Sequence, residues 1–431
     1  LCQRTTASLF NSEKKKGFFI LKPTSYRRSG GAHRSFSARP NRFGSSHKPK
    51  YGGGKRNSSR NGKQYIDPAK FVNAATTPAE QTPYVSKHTF ADFGFVADLQ
   101  RNLDQKGYVV PTAIQDQSIH AAIEGRDIIG LANTGTGKTA AFLLPIINRL
   151  KTDDSKQSAL IIAPTRELAT QIDEEFRAFA RGMKLFSTIC VGGVNIRPQI
   201  QQLARHPQLV IGTPGRLKDL LNQRALDLSR VGFFVLDEAD RMLDMGFLPD
   251  LKAIMSHLPQ KRQSLCFSAT ITPEISRLLD GLLTDPITVS VRTKETSEHV
   301  EQNVVRAASK DEKLVKLKEL LDNPDFERVL VFGETKFGVQ RLADNLSRAG
   351  KQAEAIHGNK SQPQRQRALK AFKDGRVNVL IATDVAARGL DIPNVSLVVN
   401  YDQPQTYSDY IHRIGRTGRA GQSGQALTFI D

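Results

Sequence analysis

The run Val231-Gly232-Phe233-Phe234-Val235-Leu236 carries no polar side chain and stops abruptly at Asp237-Glu238-Ala239-Asp240. Such a run reads as a strand covered on both faces, the habit of parallel sheets wrapped by helices. Similar short apolar runs recur at 127–131, 159–163, 208–211 and 264–267, with amphipathic helical stretches between them. A polar stretch at 291–301 interrupts the alternation, which restarts at 328–332, 378–382 and 396–400. Strands alternating with helices predict doubly wound parallel sheets, here two in tandem. The expected divisions are an arm at 1–88, a first α/β domain at 89–290, a linker at 291–300 and a second α/β domain at 301–431.

Charge sets the arm apart. The chain carries a formal charge of +19, yet residues 1–88 hold eighteen Lys and Arg against three acids, Glu13, Asp67 and Glu80. Ser, Gly and Asn fill much of the rest, and aromatics such as Tyr26, Phe36, Phe43, Tyr51 and Tyr65 are scattered among the arginines. No apolar period survives there, so a disordered basic arm is expected. Arginines interleaved with aromatics can pair with phosphates and stack on bases, so the arm is read as auxiliary RNA affinity. The three cysteines, Cys2, Cys190 and Cys266, form no CxxC pair. They imply neither a disulfide framework nor a zinc site, which fits a reducing cytoplasm. Lys14-Lys15-Lys16 before Phe18-Phe19-Ile20-Leu21 mimics a signal peptide, but the apolar stretch is too short and Lys22 ends it. No run approaches the ~20 residues of a membrane-spanning helix.

A second signal lies upstream of the carboxylates: Ala132-Asn133-Thr134-Gly135-Thr136-Gly137-Lys138-Thr139. The spacing is that of the phosphate-binding loop GxxxxGK[ST], with Ala132 at the first position. Glycines let backbone N–H groups converge on phosphate oxygens, Lys138 reaches the β- and γ-phosphates, and Thr139 is a Mg²⁺ ligand. The helix that starts here adds the positive end of its dipole. Asp237 is the second candidate Mg²⁺ ligand, through water, and Glu238 the candidate base for an attacking water. A nucleoside triphosphate is therefore the expected substrate. The second domain has no phosphate loop of its own.

With these motifs in place, the stretch from about Phe90 to Asp431 resembles the DEAD-box RNA helicases of helicase superfamily 2. Gly192-Gly193-Val194 and His357-Gly358-Asn359-Lys360-Ser361-Gln362 are most similar to the bacterial RhlE-like subgroup. The resemblance implies two tandem RecA-like domains behind the arm, with ATP and Mg²⁺ as cofactors. In Gly107-Tyr108-Val109-Val110-Pro111-Thr112-Ala113-Ile114-Gln115, with Phe90 seventeen positions upstream, it assigns Gln115 to the adenine edge and Phe90 to the base. A carboxamide offers the donor and acceptor that adenine requires. Ser268-Ala269-Thr270 would relay between the ATP site and domain closure.

In the second domain, 382–391 matches motif V, with Arg388 as a coupling residue and Asp391 on the ribose. His412-Arg413-Ile414-Gly415-Arg416-Thr417-Gly418-Arg419 matches motif VI. His412 is a coupling candidate, and Arg416 and Arg419 are candidate arginine fingers reaching the γ-phosphate from across the cleft. The RNA contacts implied are Pro164, Thr165, Arg166, Gly193, Thr213, Gly215 and Arg216 in the first domain, and Thr335, Gly358, Gln362, Arg365 and Thr383 in the second. Such groups suit phosphates and 2′-hydroxyls rather than base edges, so binding of single strands or short duplexes is expected to be independent of sequence. Glu334 departs from the family's less acidic motif IV and would weaken a phosphate contact. A monomer that unwinds short duplexes is the implied activity. The same motifs would serve an ATP-gated RNA clamp with little unwinding, working with ribosome-assembly or RNA-decay proteins.

Overall fold

A computed structural model describes residues 66–73, 84–133, 135–153, 158–291, 300–387, 395–418 and 424–430. Within them lie two parallel sheets, both in one compact unit. The first is built from β1 (Ile128–Ala132), β2 (Ser158–Ile162), β3 (Ser187–Cys190), β4 (Leu209–Gly212), β5 (Val231–Asp237), β6 (Gln263–Ser268) and β7 (Ile287–Val291). Its order is β3-β4-β2-β5-β6-β1-β7. The second comprises β8 (Val300–Arg306), β9 (Val329–Phe332), β10 (Ala353–Ile356), β11 (Val379–Ala382), β12 (Leu397–Asn400) and β13 (Gly424–Ile430), in the order β10-β11-β9-β12-β13-β8. This is the pair of doubly wound domains read from the sequence.

The apolar runs explain the layering. All seven residues of β5 are buried, and its side chains alternate between two cores. Phe233 and Val235 join Ala159 and Ile161 on one face, while Phe234 and Leu236 join Leu160 and Ile162 on the other. The second sheet divides in the same way, with Leu330 and Phe332 opposite Val329 and Val331. Because all strands in each sheet run parallel, their carboxyl ends share one edge, and loops leaving that edge carry the candidate site residues.

The expected arm runs too far into the fold. Residues 66–73 and 84–88 are folded against the two domains, whereas residues 1–65 lie outside those described. Phe71 is the fully buried side chain at the first of these places, with Ile66 partly buried against the same core, and so isolated a pair leaves no period to read. Most of the expected linker, residues 292–299, is likewise outside the description. Among the described residues, no helix is long and apolar enough to cross a membrane.

Candidate nucleotide and RNA sites

The phosphate loop leaves β1 and turns into the helix Lys138–Thr152. Gly137 caps that helix at φ +93°, a conformation glycine adopts freely. A Cβ there would also lie 3.0 Å from Thr112 Oγ1 and 3.2 Å from Gln115 Cδ. Thr112 and Gln115 form a capping box on the helix Ala113–Ile123, in which Gln115 Oε1 accepts from Thr112 N at 2.9 Å. Gln115 Nε2 donates to Gly137 O at 3.1 Å, and Thr112 Oγ1 donates to Thr136 O at 2.8 Å. Gln115 thus braces the phosphate loop with the groups expected to face adenine. Phe90 is buried in the core, with its ring 5.5 Å from that of Tyr108 and 6.0 Å from that of Phe93.

Lys138 is buried, and its Nζ donates to Ala132 O at 2.9 Å. Asn133, Gly135, Thr136 and Thr139 lie on the same loop and first helical turn, while Thr134 is outside the described residues. Asp237 ends β5, 2% exposed, and its Oδ1 is buried without a hydrogen-bond partner. Burial pushes its carboxyl up to about 7, against the pull of Lys138, and Glu238 adds to the rise. An orphaned, desolvated carboxylate oxygen beside an ammonium is a poor place for a bare charge and a good one for a cation. Glu238 turns the chain at φ +55°, strained for a residue with a side chain, and Arg241 Nη1 donates to its Oε2 at 2.9 Å with both groups buried.

The last acid of the tetrad has a task that the sequence left unassigned. Asp240 Oδ2 accepts from Ala269 N (3.1 Å), Thr270 N (2.9 Å) and Thr270 Oγ1 (3.1 Å), and Asp240 N donates to Ser268 Oγ (3.2 Å). The loop after β5 is therefore latched to the loop after β6 through Ser268 and Thr270.

From the second domain, the helix Tyr407–Ile414 carries His412 and leads to Arg416, and both line one cleft with Asn133, Lys138, Glu238 and Arg241. Arg413, to which no role was assigned, is buried. Its Nε and Nη2 bind Asp384 Oδ1 and Oδ2 at 2.6 and 2.7 Å, and its Nη1 reaches Asn400 Oδ1 and Asp402 O. This bidentate pair ties motif VI to motif V. Arg388, Asp391 and Arg419 lie outside the described residues.

The candidate RNA residues occupy helix starts along the same edges. Thr165 caps Arg166–Phe179, accepting from Leu168 N at 3.3 Å, and Thr335 caps Lys336–Arg348, accepting from Gly338 N at 3.0 Å. Thr213 caps Pro214–Asn222, which contains Gly215. Arg216 Nη2 donates to Val194 O at 3.0 Å, while its Nε and Nη1 are buried without partners. Pro164 is buried, Gly358 is exposed after β10, and Thr383 follows β11. Gly193, at φ +72°, leaves the space that the Arg166 guanidinium occupies. Gln362 and Arg365 instead cross to the first domain, meeting Glu167 Oε1 at 3.2 and 3.0 Å in a buried cluster. Glu167 belongs to the same motif as Arg166, but its acidity hid it among the expected phosphate contacts.

Residues 112–278 match the family described as DEAD/DEAH box helicase, and residues 310–421 match the helicase conserved C-terminal domain. The chain is 45% identical over 342 residues to the ATP-dependent RNA helicase CshA of Limosilactobacillus reuteri, covering 79% of this chain and 69% of that protein. It is 46% identical over the same length to the DEAD-box ATP-dependent RNA helicase CshA of Streptococcus pneumoniae, covering 79% of this chain and 65% of that one. Neither relative carries the RhlE-like label. Dbp5 of S. cerevisiae bound to RNA and ADP BeF3 superposes with a TM-score of 0.69 at 31% identity, covering 79% of this chain and 89% of that one. Mss116p bound to ssRNA and AMP-PNP does so with a TM-score of 0.72 at 28% identity, covering 81% and 76%. With its phosphate loop, its Asp-Glu-Ala-Asp turn and a second domain that brings an arginine to the same cleft, the chain belongs to the DEAD-box family of ATP-dependent RNA helicases.

Proposed function

We propose that this chain hydrolyses ATP with Mg²⁺ when ATP and RNA hold its two domains together, and that the cycle locally opens short RNA duplexes. The observation that carries the reading is the shared cleft, where Lys138 and Glu238 of the first domain meet Arg416 of the second. Lys138 positions the β- and γ-phosphates, Glu238 orients and deprotonates the attacking water, and Arg416 stabilises charge on the γ-phosphate. Gln115 selects adenine by turning from the loop that it braces. Thr139 and the unpartnered Oδ1 of Asp237 fit Mg²⁺, which would offset phosphate charge when bound. Asp391 and Arg419 complete the ribose and γ-phosphate contacts.

Arg166, Thr213, Arg216, Thr335, Gly358 and Thr383 follow the RNA backbone without reading bases, and Gln362 and Arg365 act through Glu167 as an interdomain clasp. The basic arm adds affinity. A reducing cytoplasm is the proposed compartment, consistent with the buried free thiols of Cys190 and Cys266.

The test is Glu238→Gln. RNA-stimulated turnover should fall about 10²- to 10⁴-fold, the usual worth of a general base, while ATP binding persists. Wild-type turnover in this variant rejects the assignment, and duplexes of several lengths assayed alongside report whether turnover separates strands.

A further inference from the structure

Residues 66–73 precede the first domain in the chain but fold against the second. Asp67 Oδ1 accepts from Ala69 N at 2.9 Å and starts a short turn, Pro68–Phe71. Asn73 then forms an antiparallel bridge with Gln302 of β8, its N donating to Gln302 O at 3.0 Å and its O accepting from Gln302 N at 2.8 Å. β8 is the edge of its sheet, so the segment covers part of an otherwise open strand. Phe71 is fully buried, and its ring centroid lies 4.7 Å from that of Tyr410. The Tyr410 hydroxyl in turn donates to Gln302 Oε1 at 2.9 Å.

Tyr410 sits in the helix Tyr407–Ile414, which leads to Arg416 at the nucleotide cleft. Arg413, three residues on, is clamped to Asp384. The helix is thus fixed at two points, one by motif V and one by a segment from the far end of the chain. We infer that Phe71 is a positioning residue for ATP hydrolysis: by filling the space against Tyr410 it sets the helix that aims Arg416. The inference rests on the assignment of Arg416 as the arginine finger. An error of about 1 Å in the placement of such a group can cost two orders of magnitude in rate. The phosphate-loop, Mg²⁺ and adenine contacts proposed for this site come from the first domain, so ATP affinity should be largely spared.

The test is a graded series in the full chain, Phe71→Leu, Phe71→Val and Phe71→Ala, with Arg416→Ala in parallel. Turnover at saturating RNA is measured well below each variant's unfolding midpoint. The expected result is a kcat that falls stepwise from Leu to Ala, at least fivefold at Ala, with the KM for ATP unchanged within about twofold. If Ala does not fold, the step from Leu to Val carries the test. Flat kcat across the series overturns the inference, as does a rise in KM that tracks lost stability. If Arg416→Ala abolishes turnover while the Phe71 series is flat, only the positioning role fails. If Arg416→Ala retains turnover, the finger assignment itself fails and the inference with it.

Discussion

Gly193→Ala perturbs two adjoining candidate RNA contacts, Gly193 and Arg166, without touching the nucleotide. The residue has φ +72°, and a Cβ added there would lie 2.5 Å from Arg166 Nη2 and closer still to its Cζ and Nη1. Two costs follow. An alanine in the left-handed region costs ~1 kcal/mol in stability. The overlap is relieved more cheaply, because the group in the way is the far end of a flexible side chain and no backbone need move. Arg166 is therefore displaced while the domain stays folded.

A charged hydrogen bond to a phosphate contributes about 1.5–3 kcal/mol. Losing its alignment should weaken RNA binding about tenfold, since 1.4 kcal/mol is one decade. It should also remove one neutralised phosphate, which lowers the salt slope of binding to single strands by ~0.7. Fluorescence anisotropy of a labelled single strand, titrated at several salt concentrations, reads both numbers, and ATPase assays at saturating RNA supply the control. Unchanged affinity and slope would show that Arg166 does not need the space over Gly193. An equal fall in ATP affinity would show that the damage spreads beyond the RNA face.

Two further perturbations probe the links between parts. Asp240→Asn replaces one acceptor oxygen with an N–H group that can face Thr270 N or Ala269 N, costing ~2 kcal/mol in the latch between the loops after β5 and β6. Strand separation should fall several-fold more than RNA-stimulated ATP turnover, and equal losses would dismiss the latch as a coupling element. Asp116 gives a pH signature. Burial pushes its carboxyl up, but hydrogen bonds from Tyr84, Lys87 N and His88 outweigh that and hold it at about 2. A depressed carboxyl stabilises the fold above its unfolded value of about 3.9 and loses that contribution as pH falls through the folded value. Asp116→Asn should therefore be less stable at pH 7, by at most about 2 kcal/mol, and the gap should close between about pH 4 and pH 2 in urea unfolding. A gap independent of pH would remove the carboxylate from the account.

The sequence made β5, the phosphate loop and both sheets legible because each is local: an apolar run, a glycine spacing, a repeated alternation. The contacts that turn motifs into a site were not. Asp240 on Thr270 and Arg413 on Asp384 join residues whose partners are set by tertiary packing, and no spacing rule marks them, whereas Arg241 on Glu238 is a local i,i+3 pair whose burial the sequence did not show. Phe71 was hidden for the opposite reason. It lies in a composition that reads as arm, and its burial depends on Tyr410, more than three hundred residues away.

Strand order explains how a chain with interleaved motifs keeps two functions apart. Along the chain, candidate phosphate-loop residues at 132–139 are followed by candidate RNA residues at 164–166, 193 and 213–216, then by 237–240 and 268–270. The sheet sorts them. β5, β6 and β1 are neighbours and carry the nucleotide motifs, while β3, β4 and β2 are neighbours and carry the RNA motifs. In the second sheet the candidate RNA residues Gly358, Thr383 and Thr335 follow β10, β11 and β9, also a contiguous half. The two halves of the first sheet meet at the β2–β5 pair, where Ile162 lies beside Leu236. Glu167 follows β2, and its partners Gln362 and Arg365 come from the second domain. That junction is therefore where a change on the RNA side can reach Asp237 and Glu238 through a single strand pair, and where coupling should be most sensitive to packing.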